Sequence, residues 1–185
     1  MTWFLIGAGV VLLFFVVQLV YLAAILAWED QQTAGLAYYG RTPAERRAFK
    51  ERLARHVRRL RPILALLGNT SSFTFEKASF EVRGLAGPKG TCNEESFAEA
   101  LAYEPAPEDV FVVTQMKGGT TWMQHVVYEV LRRGDGDLVE TGTALYAVSP
   151  WLEARKSVGV EEAPLVGEER PSRVIKTHFP VAHCP

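Results

Sequence analysis

The sequence predicts an α/β fold: the opening βαβ part of a parallel sheet, preceded by a transmembrane helix and a basic amphipathic helix. Three observations carry that prediction. An uncharged apolar run extends from Trp3 to Trp28, a base-rich stretch from Arg41 to Arg61, and a β-branched run at 110–114 leads through glycines into a helically spaced segment. The length of 185 residues suits about one ordinary domain. With 48% apolar and 22% charged residues the chain is not a disordered one. Cys92 and Cys184 are the two cysteines, too few and too far apart for a disulfide framework or a metal cluster. Twenty Lys and Arg against 21 Asp and Glu argue against a generally basic nucleic-acid binder.

From residue 3 to 28 the one strongly polar side chain is Gln18, and none is charged. As a helix this run is roughly 39 Å long at about 1.5 Å per residue. It exceeds the ~30 Å hydrocarbon thickness, so it can cross a bilayer with some tilt. Trp3 and Trp28 fall where amphipathic rings favour the headgroup level. A cleaved signal peptide fits poorly, because the basic start and a clear small-residue cleavage site are both missing.

Between Arg41 and Arg61 nine bases meet only Glu45 and Glu51, a local charge of +7 that leaves −8 for the rest. Thr42-Pro43-Ala44-Glu45 reads as a helix start with a capping box and Pro at the first helical position. Phe49, Leu53, Val57, Leu60, Leu64 and Leu67 then recur at three- and four-residue steps, giving a helix over 41–67 with one apolar face. Pro62 is expected to kink or end it. A basic amphipathic helix near a span reads as lying on an anionic leaflet; the plainer reading is a solvated basic face packed on the chain's own domain. The bases follow the span, so the positive-inside bias predicts a single-pass membrane protein with its C-terminal part in the cytoplasm.

Residues 70–185 are expected to form one partial domain. Gly68 to Ser72 breaks the helical pattern, Thr74 to Val82 alternates weakly as a strand pair or an edge strand, Gly84 to Asn93 reads as a loop, and Glu94 to Tyr103 reads as a short helix. Val110 to Thr114 predicts a buried strand, Gln115 to Thr121 a turn, and Trp122 to Arg133 a helix closed by Gly134. A glycine turn between a strand and a helix N-terminus offers free N–H groups and the positive end of a dipole to a phosphate. Gly118 and Gly119 permit close approach, Lys117 brings charge, and Thr120 and Thr121 bring hydroxyls. The triphosphate pattern is absent, because here the lysine precedes the glycines. An ordinary strand–turn–helix whose glycines only make the turn fits the same residues.

Arg173-Val174-Ile175-Lys176-Thr177-His178-Phe179-Pro180 begins as a strand. Lys176 and His178 are two apart, so both point to one face. A cation and an imidazole there suit a cleft that holds an anion and removes a proton. A lone histidine is more often structural, and His56, His125 and His183 are read that way.

Val112 to Trp122 resembles the 5′-phosphosulfate-binding loop of the cytosolic-type sulfotransferases, whose usual form is Thr-Tyr-Pro-Lys-Ser-Gly-Thr-Thr-Trp. The run from Arg173 to Pro180 resembles the segment carrying that family's catalytic histidine, and Ser149-Pro150-Trp151-Leu152-Glu153 is similar to one lining its acceptor pocket. Together the three cover roughly Thr70 to Pro185. The resemblance implies a P-loop-like parallel sheet and 3′-phosphoadenosine 5′-phosphosulfate as co-substrate, without a metal. Lys117, Gly118, Gly119, Thr120, Thr121 and Trp122 would bind the donor. His178 would take a proton from the hydroxyl or amine of a small-molecule acceptor. Lys117 and Lys176 would offset oxygen charge, and Trp151 and Phe179 would touch the acceptor. Membrane lipid is the other expected partner.

Two departures qualify the resemblance. Tyr-Pro-Lys-Ser-Gly becomes Gln115-Met116-Lys117-Gly118-Gly119, a looser loop with one hydroxyl fewer. The family's 3′-phosphate site lies in elements beyond the counterpart of Pro185, so the chain reads as the N-terminal portion of the domain, weak or inactive alone. The rival expectations are a catalytically inactive, membrane-anchored half-domain binding a nucleotide or a partner, and a different phosphate-binding enzyme.

Overall fold

A computed structural model describes residues 2–70 and 79–184, with side chains at 6–67 and 79–184. In chain order the elements are α1 (Thr2–Thr33), α2 (Gly35–Tyr39), α3 (Pro43–Thr70), β1 (Ser79–Val82), β2 (Leu85–Pro88), α4 (Glu94–Leu101), β3 (Asp109–Val113), α5 (Thr120–Leu131), α6 (Leu145–Val148) and β4 (Arg173–Thr177). They fall into two compact units. One comprises Met1–Gln32 with Ala44–Phe73, the other Thr33–Pro43 with Thr74–Pro185.

In the first unit α1 runs five residues past Trp28, through Glu29 and Asp30. Its stretch Ile6–Thr33 is long and apolar enough to cross a membrane, judged by length and composition. The helix α3 lies against it in the opposite direction. Trp28 stacks near Phe49 and His56, at 5.3 and 5.5 Å between centroids, and Tyr21 Oη is 2.6 Å from His56 Nδ1. Pro62 does not end α3, which continues to Thr70, past the expected break at Gly68. Its covered stripe also differs from the predicted one. Phe49, Leu60 and Ile63 are buried and His56 is half-buried, whereas Val57, Leu64 and Leu67 are exposed. The reason is the rings of α1, which reach His56 and so rotate the contact stripe toward 49, 56, 60 and 63.

The second unit is built from two strand pairs. Arg83 and Gly84 have φ of 51° and 80°, the left-handed pair that a tight two-residue hairpin needs. They join β1 to β2 antiparallel, with Val82 opposite Leu85. The predicted loop from Gly84 therefore begins as a strand; the predicted strand residues 74–78 lie outside the described residues. Asn93 caps α4 by accepting from the Ser96 N–H, and Ser96 Oγ answers the Asn93 N–H. Leu85, Cys92, Phe97, Ala100 and Phe179 form one buried cluster, which ties this hairpin and α4 to the residue just after His178.

The other pair, β3 with β4, is parallel, with Val112 opposite Lys176 and Val113 opposite Thr177. The helix α5 lies on the connection between them, as a parallel pair requires. It starts at Thr120, two residues before the predicted Trp122. It ends at Leu131, where Arg133 (φ 56°) and Gly134 (φ 80°) turn left-handed and Gly134 N–H donates to the Glu129 carbonyl at 2.9 Å. The pairing fixes the geometry of the site: β3 and β4 end side by side, so the turn at 114–119 and residue 178 leave the sheet at the same edge.

Candidate active site

The loop after β3 is shaped by its two glycines for different reasons. Gly118 N–H donates to the Gln115 carbonyl at 3.0 Å, and a Cβ on Gly118 would come within 2.9 Å of that oxygen. Gly119 has φ of 87° with nothing near a Cβ, so its need is conformational. Lys117 is itself left-handed, at φ 62°. These turns present the start of α5 to solvent, with Lys117, Gly118 and Thr121 exposed. Thr120 is buried and its hydroxyl pairs with that of Thr114, which fastens the first turn of α5 to the end of β3.

His178 is held at three points. Its backbone N–H donates to Glu153 Oε1 at 2.7 Å, its Nδ1 lies 2.7 Å from the Thr114 carbonyl oxygen, and its ring meets the Trp151 ring edge-on at 5.1 Å. A carbonyl can only accept, so Nδ1 carries the hydrogen and donates it. The lone pair is thereby left on Nε2, the form a general base needs. Glu153 is 1% exposed and its Oε2 has no partner among the described residues.

Lys176 is 4% exposed. Its Nζ sits 3.6 Å from the centre of the Trp151 ring and donates to Tyr146 Oη at 3.2 Å. Trp151 is placed by a short parallel bridge: Lys176 N–H donates to the Pro150 carbonyl and Leu152 N–H to the Lys176 carbonyl. One indole therefore touches both groups of the 173–180 segment, the ammonium on its face and the imidazole at its edge.

A cavity of about 560 Å³ is lined by Lys117, Gly119, Thr120, Thr121, Tyr146, Trp151, Lys176 and His178. A second, of about 300 Å³, is lined by Leu85, Cys92, Phe97, Met116, Glu153, His178 and Phe179. His178 borders both, with a cationic, amide-rich space on one side and a mostly apolar one on the other. Trp151 faces the first and Phe179 the second. Trp122, on the first turn of α5, is 69% exposed and borders neither cavity. Burial, and then the neighbouring Glu153, push the Cys92 thiol up to about 12.

A family model described as the sulfotransferase domain matches residues 107–185. Residues 107–185 are thus similar to part of a sulfotransferase domain. Among curated proteins the chain is similar to human sulfotransferase 1E1, at 30% identity over 79 residues, 43% of this chain and 26% of the relative. It is similar to mouse sulfotransferase 1E1, at 32% over 74 residues, 40% and 25%. It is similar to dog sulfotransferase 1A1, at 33% over 94 residues, 48% and 31%. The chain thus spans about a quarter to a third of the length of these relatives.

The matched stretch begins just before β3 and includes the loop, Trp151, Lys176 and His178. Three residues that shape the site are given no individual role by the sequence. Thr114 reads as the end of a strand, and only the parallel register brings its carbonyl to His178. Glu153 stands in the sequence only as the end of the Ser149–Glu153 run, with nothing to mark it as the acceptor for the His178 N–H. Nothing in the sequence singles out Tyr146.

Proposed function

We propose that this chain carries the phosphosulfate loop and the base of a sulfotransferase, transferring the sulfuryl group of 3′-phosphoadenosine 5′-phosphosulfate to a hydroxyl or amine of a small-molecule acceptor. The observation that carries the proposal is the single cavity lined by Lys117, Gly119, Thr120 and Thr121 on one wall and by Lys176 and His178 on the other. When bound, the donor supplies an electrophilic sulfur and a phosphate leaving group. In this reading the strand–glycine turn–helix is P-loop-like, and its N–H groups and Lys117 hold the donor's 5′-phosphate and sulfonate.

The chain's own residues then do three things. His178 Nε2 takes the acceptor's proton as the acceptor oxygen or nitrogen bonds to sulfur and the bond from sulfur to the bridging phosphate oxygen breaks. Lys117 and Lys176 offset charge on the bridging and equatorial oxygens. Trp151 and Phe179, on the two sides of His178, bound the space the acceptor enters. Positioning and electrostatics carry most of such an in-line transfer.

We further propose that α1 crosses a membrane once and that the unit bearing the site lies on the cytoplasmic side. Support comes from the exposed apolar side chains of α1, from Ile6 through Val20, and from the bases of α3. Phe49 packs on Trp28, so Lys50 and Arg47 sit near the interfacial end of the span, where anionic headgroups are.

The test is transfer of labelled sulfuryl from the donor by the full chain in detergent or vesicles. Turnover lost in His178→Ala and in Lys117→Ala supports the enzyme. Binding of adenosine 3′,5′-bisphosphate without turnover assigns an inactive half-domain, and a preference for a nucleoside triphosphate assigns a different phosphate enzyme.

A further inference from the structure

The ammonium of Lys176 is nearly buried, yet among the described residues no carboxylate lies within ion-pair distance of it. A buried cation without a counter-charge needs other partners. Here they are aromatic: the Trp151 ring at 3.6 Å, the Tyr146 ring at 5.2 Å and Tyr146 Oη at 3.2 Å. An ammonium has three donors and the phenol takes one. The others are left for the cavity that Lys176 lines.

Tyr146 is in turn backed by a residue from far away in sequence. The Tyr39 ring lies 5.4 Å from the Tyr146 ring. Tyr39 ends α2, in the segment Thr33–Pro43 that joins α1 to α3 and packs within the second unit. That segment is fastened elsewhere too. Gly35 N–H donates to the Lys156 carbonyl at 3.1 Å, Lys156 Nζ donates to Thr33 Oγ1 at 2.8 Å, and Pro43 lies against Gly142. A connector between two long helices could have been a free tether. This one reaches an active-site lysine through a single intervening ring.

We propose that Tyr146 and Tyr39 are positioning residues of this site: Tyr146 holds the Lys176 ammonium over the Trp151 ring with its spare donors toward the cavity, and Tyr39, from the segment joining α1 to α3, holds Tyr146. The proposal rests on the functional reading above for what Lys176 does, but not for where Lys176 is held. Docking of segment 33–43 within the second unit then sets how ready the donor side of the site is.

Acylation of lysines in the intact chain, read peptide by peptide by mass spectrometry, tests this with exposed Lys89 as internal reference. Lys176 is expected to react more slowly than Lys89 in the parent chain. Tyr146→Phe keeps the ring and removes the hydroxyl, and should speed Lys176 acylation about 3- to 10-fold, the worth of one hydrogen bond, with Lys89 unchanged. Tyr39→Ala should do the same and Tyr39→Phe should not. An unchanged Lys176 rate in folded Tyr146→Phe and Tyr39→Ala overturns the proposal, as does an equal change in Tyr39→Phe. Titration with adenosine 3′,5′-bisphosphate separates the two readings: protected Lys176 released by the variants, with no bisphosphate binding in any chain, leaves the positioning intact and sinks the sulfotransferase assignment.

Discussion

His178 Nδ1 and the carbonyl oxygen of Thr114 lie 2.7 Å apart, across the ends of two parallel strands. The contact joins the glycine loop proposed to hold phosphate to the group proposed to remove a proton, and it sets the imidazole's tautomer.

Replacing His178 by Ala removes the proposed base and keeps every residue of the loop. Sulfuryl transfer should fall about 10²- to 10⁴-fold, the usual worth of general base catalysis. Bisphosphate affinity should change little. Steady-state rates beside a binding titration check this, and a matching loss of binding would mean that His178 holds the donor rather than the proton.

Gly119→Ala forces a side chain into the left-handed region at φ 87°. The cost is roughly 1–2 kcal/mol, and it falls on the turn that aims the α5 amides. Lower thermal stability together with weaker bisphosphate binding is expected. An alanine chain as stable as the parent would show that the turn can relax without the glycine.

The Cys92 thiol, raised by burial and then by Glu153 to about 12, should stay protonated through neutral pH. Alkylation by a thiolate-selective reagent at pH 8 should be far slower for Cys92 in the folded chain than in the denatured one. The raised value also has a stability consequence. Any stability it confers is present below pH 9, the thiol's ordinary value, and declines as pH rises toward 12. Cys92→Ala should flatten that alkaline decline.

The exposed bases of α3 should add to membrane affinity. Each Arg near an anionic surface contributes about 1 kcal/mol. Changing Arg52, Arg55, Arg58 and Arg59 to Gln should weaken binding to vesicles containing phosphatidylserine by roughly two to three orders of magnitude, with little effect on neutral vesicles. Equal binding to both vesicle types before and after substitution would leave α1 as the whole anchor.

Patterns set by local chemistry were legible in the sequence. The apolar run gave α1, the cap before Pro43 gave the start of α3, and the β-branched run with its glycine turn gave β3 and α5 to within two residues. What escaped was set by contacts distant in sequence. The contact stripe of α3 depends on where Trp28 and Tyr21 reach. The hairpin at Arg83-Gly84 depends on a non-glycine residue in a left-handed conformation, which no composition signals. The partners of Lys176 and His178 come from 146, 151, 153 and 114: the parallel register of β3 with β4 brings Thr114, and the bridge from Trp151 to Lys176 brings the indole.

The central claim is that the amides at the head of α5 and the imidazole of His178 serve one ligand. Nitrogen-resolved NMR of the full chain, titrated with adenosine 3′,5′-bisphosphate, reads both at once. The account predicts that His178 is protonated at Nδ1 before addition, and that its ring signals and the Gly119 and Thr120 amides shift along one binding isotherm, which Lys117→Ala weakens. An Nδ1-unprotonated ring, or amide shifts that leave His178 untouched at saturation, would contradict it.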